Sequence, residues 1–229
     1  MRGNQAEEYI RRSKFFQNKR IEIKPLQKIQ NLNWTFLVTD LESQIQYRVK
    51  TEKEKNEKEI KVFQFLQQFE KQDWMPKIIT TEDENGLMIT PFIKGETLNN
   101  TTEIQPNDVT KIGENLYRKI KQIHSIEYVP YDIEEQKQYS NWYKLIKNQY
   151  DEYLTKIVEI GFLDEAEKRK IEGFIESLRP ELEEVKTTFV HADLKGANIV
   201  YQKENNQVFP IDFEVCFVGD PDFDWARII

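Results

Sequence analysis

One cysteine, Cys216, stands in the whole chain, so no internal disulfide can form and no C-x-x-C metal pair exists. That points to a reducing, cytoplasmic setting. No apolar run approaches the roughly 20 residues of a membrane span, and the N-terminal "MRGNQAEEYIRRSKFFQ" carries charges where a signal peptide needs an apolar core. Gly/Ser linkers and internal repeats are missing as well. Nor is there a surplus of positive charge. Forty acidic residues against thirty-three basic ones give a net charge of −7, which argues against a general nucleic-acid binder and suits a cationic small-molecule partner. A chain of 229 residues still suffices for one large domain or two small ones, burying about 70–75% of its extended surface.

Hydrophobic periodicity sorts the chain into two parts. "WTFLVTDLESQIQYRVK" reads as a hairpin with strands near 34 to 40 and 45 to 50. Ile60, Val62, Phe63, Leu66 and Phe69 then recur at helical intervals. "PKIITTEDENGLMITPFI" supplies two more strands around the turn-prone "DENG". The first ninety residues are therefore expected to form a small antiparallel sheet with one helix laid on it. After Gly95 the character changes to helix. Val109, Ile112, Leu116, Ile120 and Ile123 form a stripe that begins after Pro106, a favourable first-turn residue. Helices are also expected over Trp142 to Ile157 and Ala166 to Leu178. Two short strands, "NIVYQ" and "VFPID", close the sequence around "KENNQ". The expected fold class is α+β, with an N-terminal lobe over 1–94 and a mainly helical lobe over 95–229, and small ligands favour clefts between such lobes.

The stretch "FVHADLKGANIVY" packs one of two histidines, an aspartate, a lysine and an asparagine between apolar runs. Phosphoryl transfer from a nucleotide needs a carboxylate for the attacking hydroxyl, oxygen ligands for Mg²⁺ and a cation on the phosphates. Asp193 can serve as the base, and Asn198 and Asp212 as metal ligands. Asp212 follows the apolar "VFPI" and should emerge from a strand paired with "NIVYQ", beside Asn198. His191, flanked by Phe189 and Val190, reads as a scaffold that fixes the loop through backbone hydrogen bonds. His124 continues an apolar stripe and reads as core.

"HADLKGANIV", "IDFE" and "GDPDFDWA", in that order, resemble the aminoglycoside phosphotransferase and choline kinase superfamily, small-molecule kinases with a protein-kinase-like fold. The resemblance covers nearly the whole chain. It implies that Lys50 of "QYRVK" grips the nucleotide phosphates and that Glu59 on the following helix pairs with it. Arg48, two residues away on the same strand face, is the alternative to Lys50. "LMITPFIKGETL" resembles the strand and hinge that hold adenine, through Pro91 C=O and Ile93 N–H. In the superfamily the second carboxylate of the G-D-P-x-x-D pattern, here Asp224, braces the catalytic loop, which assigns it structural support alongside the scaffold residue His191.

Two features depart from the family pattern. "LQKIQNLNWTF", where a nucleotide-covering loop should lie, has no glycine to let backbone approach phosphate closely. The chain also stops at Ile229, where family members continue into helices that wall the acceptor pocket, so the resemblance implies a C-terminal truncation or a partner that completes the site. The expected activity is transfer of the γ-phosphate of ATP, or of GTP, with Mg²⁺, to a hydroxyl of a small cationic molecule such as choline, ethanolamine or an aminoglycoside. A protein kinase is the alternative favoured by "DLKGANI" and opposed by "DFE" and the missing A-P-E. A nucleotide-binding module without turnover is the other.

Overall fold

The structure, a computed structural model, describes residues 3–28, 34–51, 56–68, 77–82, 86–101, 104–126, 141–213 and 215–228. It falls into two compact units, one of Met1–Lys119 with Asp193–Val215 and one of Ile120–Ala192 with Cys216–Ile229. No helix among the described residues is long and apolar enough to cross a membrane.

The first unit holds α1 (Gly3–Arg12), β1 (Ile21–Lys28), β2 (Trp34–Asp40), β3 (Gln46–Thr51), α2 (Asn56–Leu66), β4 (Thr80–Glu82) and β5 (Leu87–Pro91). The strands form one antiparallel sheet in the order β1-β2-β3-β5-β4. Side chains alternate across a strand, so each residue's parity decides its face. Phe36, Val38, Tyr47, Val49, Leu87 and Ile89 share one face and are buried against Ala6, Ile10 and Phe16. Ala6 and Ile10 lie four apart on α1, one turn of helix. Each large side chain in this cluster contributes about 1.5–3 kcal/mol by leaving water. Lys50, opposite Met88, and Arg48, opposite Thr90, belong to the other face.

Two helices, not one, thus accompany this sheet, and it is α1 that covers the apolar face. The sparse apolar residues of the N-terminal stretch hide that role from a reading of periodicity. The edge strand β1 carries a bulge between Pro25 and Gln27, where a residue without N–H is tolerated and further pairing is discouraged.

A second sheet in this unit orders β6 (Glu96–Thr97), β8 (Ile199–Gln202) and β9 (Gln207–Pro210). Helix α3 (Pro106–His124) follows β6, and its Lys119 is fully buried with the ammonium 3.9 Å from the centre of the Phe209 ring, a cation–π contact.

The second unit is mostly helical. Asn141 caps α4 (Trp142–Glu159) by accepting the Lys144 N–H, and Asp164 with Glu167 forms a reciprocal capping box on α5 (Glu165–Ser177). Helix α6 spans Arg179–Glu183, and β7 (Thr188–Val190) pairs with β10 (Phe217–Gly219) ahead of α7 (Asp222–Arg227). Trp142 stacks on Phe217 and meets Phe223 edge-on.

The β2–β3 turn is locked by one carboxylate. Asp40, nearly buried, takes the Lys19 ammonium at 3.1 Å and the N–H groups of Glu42 and Ser43 at 3.0 and 3.4 Å. The Lys19 hydrogen bond, aided by the turn N–H groups, lowers its pKa to about 2. A carboxylate held below its unfolded value of about 3.9 adds stability above that pH and loses it as the pH falls through the folded value. Asp40→Asn therefore lowers the urea midpoint at pH 7, and the gap from the parent protein closes as the pH falls from about 4 towards about 2; a gap unchanged at low pH would rule this lock out.

Candidate active site

The loop from His191 to Asn198 is shaped by its own backbone. Ala192 adopts a positive φ of 66°, uncommon for a residue with a Cβ, and a single 3-10 turn, Gly196–Asn198, ends the loop at β8. Lys195 N–H donates to Asp193 C=O and Asn198 N–H to Lys195 C=O, both at 2.8 Å. Gly196 lets the Asn99 side chain approach closely: a Cβ there would sit 2.1 Å from the Asn99 side-chain oxygen, and that side chain would have to shift.

This turn brings Asp193 and Asn198 together. The Asn198 amide donates at 2.7 Å to Asp193 Oδ2 and at 3.0 Å to the Asp193 carbonyl. The Lys195 ammonium lies 2.8 Å from the same carboxylate oxygen. With Nδ2 committed to Asp193, the side-chain oxygen is the atom of Asn198 left to act as an acceptor or ligand.

Asp212 arrives by strand pairing. Ile199 is opposite Pro210 in the β8–β9 ladder, and beyond it Ile211 N–H donates to Asn198 C=O at 2.9 Å. Asp212 follows at once with φ of 71°. Its Oδ1 lies 3.2 Å from the Lys50 ammonium, and the Lys50 side chain is 3% exposed. Residues 162 positions apart in sequence therefore meet. Of the two candidate cations on this strand face, Lys50 is the one that reaches Asp212; Arg48 is half-buried on the same face. Glu59 lies on α2, and its side chain is outside the described residues, as are residues 29–33 of the glycine-free loop.

At the end of β5, Phe92 N–H donates to Gln46 C=O. That makes Gln46 and Phe92 a hydrogen-bonded pair, so the preceding Tyr47–Pro91 pair is a non-bonded one, and the Pro91 backbone groups point away from β3. Pro91 can stand there because no ladder N–H is asked of it. Ile93 N–H has no hydrogen bond among the described residues.

His191, Asp224 and His124 lie in the second unit. Asp224 is fully buried and accepts the N–H groups of His191 at 2.9 Å and Ala192 at 2.7 Å. It also meets His124 Nε2 at 2.9 Å. His124 is buried, as its place in an apolar stripe suggests, but its ring is part of a polar contact that the stripe does not reveal. Only a histidine in the last turn of a helix hints at it.

For a divalent cation, Asn198 and Asp212 offer hard oxygen donors on adjoining backbone. Among the described residues no cluster of three or more His, Cys, Asp or Glu could hold a metal alone. A pair of oxygen ligands fits Mg²⁺, which is commonly held by one or two protein ligands together with substrate phosphates.

The profile of the phosphotransferase enzyme family matches residues 23–229. No curated protein matches the chain. Among solved structures, the ADP-bound aminoglycoside phosphotransferase APH(2'')-Ib superposes with a TM-score of 0.73, covering 98% of this chain and 74% of its own at 22% identity. APH(2'')-IIa, in a ternary complex with streptomycin and ATP, gives 0.70 over 98% and 75% at 23% identity. A Plasmodium vivax ethanolamine kinase gives 0.70 over 100% and 72% at 18% identity. At such identities the likeness is one of fold, α+β and protein-kinase-like.

The segment that pairs with β8 depends on Gly95, where φ is 153° and a Cβ would lie 2.4 Å from the Tyr201 carbonyl oxygen. Gly95→Ala is expected to cost about 2–4 kcal/mol in chemical denaturation; a loss below about 0.5 kcal/mol would show that the backbones separate freely.

Proposed function

The chain belongs to the phosphotransferase enzyme family, and from that premise we propose that it moves the γ-phosphate of ATP, or of GTP, to a hydroxyl of a small cationic molecule. Choline- or ethanolamine-like amino alcohols and aminoglycosides are the acceptor classes, in keeping with the net charge of −7 and with the ligands named for the solved relatives. The observation that carries this reading is the pairing of Lys50 with Asp212 at 3.2 Å on the segment hydrogen-bonded to Asn198, whose amide holds Asp193.

In this reading residues 1–94 act as the nucleotide lobe and 95–229 as the helical lobe. Lys50, steadied by Glu59, grips the phosphates; Pro91 C=O and Ile93 N–H receive the adenine edge. Asn198 and Asp212 would hold Mg²⁺, which supplies positive charge against the phosphate oxygens. Asp193 accepts a hydrogen bond from the acceptor hydroxyl, orients it in line with the γ-phosphate and takes its proton as the new bond forms. Lys195 stands 2.8 Å from that carboxylate, a cation beside the group that receives the hydroxyl. Positioning and charge supply the rate, since phosphoryl transfer asks for little covalent work from the protein. The lone, buried Cys216 supports a cytoplasmic setting.

An ADP-release assay with ATP, then GTP, against choline, ethanolamine and aminoglycosides tests the reading. Turnover with at least one acceptor is expected, and Asp193→Asn should keep nucleotide affinity within about twofold while losing about 10²–10⁴ in kcat. Equal rates for the two proteins would remove Asp193 from the chemistry. Metal-dependent nucleotide binding with no turnover on the panel would identify a binding module instead, and transfer to a generic protein substrate a protein kinase.

A further inference from the structure

Asp224 is a carboxylate with no exposed surface, and its two oxygens do different work. Oδ1 accepts Ala192 N–H at 2.7 Å; Oδ2 accepts His191 N–H at 2.9 Å and faces His124 Nε2 at 2.9 Å. A carboxylate on its own can swing about its χ2 torsion. Two consecutive N–H groups are satisfied together only in one orientation, and a third donor from a separate element selects that orientation.

His124 supplies that donor from the last residue of α3. Its ring is set edge-on against Trp225, centroids 6.2 Å apart and planes at 88°, so it cannot turn freely. Its other nitrogen, Nδ1, is buried without a hydrogen-bond partner among the described residues. A buried N–H without an acceptor is costly. Both Asp224 oxygens already act as acceptors of backbone N–H groups, so the ring nitrogen that faces Oδ2, Nε2, is the donor of this contact.

What this orientation holds is a backbone that would otherwise relax. Ala192 has φ of 66°, which costs a residue with a Cβ on the order of 1 kcal/mol or more, and its N–H is one of the two clamped by Asp224. We propose that His124 is a positioning residue. By fixing the Asp224 carboxylate it holds the peptide groups of His191 and Ala192, and with them the left-handed turn one peptide bond ahead of Asp193. The consequence for turnover rests on the phosphotransferase reading above; the brace itself does not.

The test separates the two. Amide exchange of His191 and Ala192, read by NMR on the full chain, reports the brace whether or not the protein turns over. In His124→Leu, protection of both amides should fall about tenfold or more; in His124→Gln, which keeps an N–H donor at comparable reach, it should stay within about threefold of the parent. With an acceptor in hand, His124→Leu should lower kcat about ten- to a hundredfold with nucleotide KM within about twofold, and His124→Gln should restore most of it. Full protection in His124→Leu, or equal loss in His124→Gln, overturns the brace. Lost protection with kcat unchanged overturns the positioning role. If His124→Leu does not fold, His124→Asn, polar but too short to reach Asp224, takes its place in the same comparison. A parent protein inactive on every acceptor would sink the phosphotransferase reading, and the exchange measurements would still decide the brace.

Discussion

A buried ammonium must meet an opposite charge, and Lys50 meets Asp212. Leaving the lysine unpaired at 3% exposure would impose the desolvation penalty of an isolated ion, several kcal/mol in a real protein. The pair is thus a constraint more than a source of stability. It requires β3, which carries Lys50, and the segment after β9, which carries Asp212, to be placed against each other. Asn198 and Asp193 are then tied to the same place by the Ile211–Asn198 and Asn198–Asp193 hydrogen bonds. One cation, two carboxylates and one amide form a chain of contacts in which each member restricts the next.

The sheet's two faces explain how a lysine can be buried there at all. One face is closed by α1 and the aromatic cluster of Phe15, Phe16 and Tyr47, whose rings meet edge-on. Apolar packing is concentrated on that side. The opposite face can then hold Lys50, Arg48 and Thr90 without interrupting the core. Strand alternation assigns the faces, and α1 decides which of them is sealed.

Strained backbone sits beside the polar groups. Ala192 and Asp212 both have positive φ, and both occur where a side chain or peptide group must be aimed in a direction that an extended strand would not give. Such conformations persist only when neighbours over-determine them. Asp224 does this for Ala192 through two N–H groups, and the Lys50 ion pair does it for Asp212. In each case a long-range polar contact holds a local geometry that the residue type disfavours.

Much of this was legible in the residues alone. Alternation marked β2, β3, β5 and the β8–β9 hairpin, and 3.6-residue periodicity marked α3, α4 and α5, because those patterns record neighbours two to four positions apart. The order and type of Asp193, Asn198 and Asp212 pointed to oxygen-rich chemistry before any fold was known. The role of α1 was not legible, since Ala6 and Ile10 are too few to signal a core helix. The pairing of Lys50 with Asp212, 162 residues apart, and of His124 with Asp224, 100 apart, was settled only in three dimensions. Local patterns encode which face a side chain takes; which partner waits on that face depends on how distant segments pack, and no local period records that.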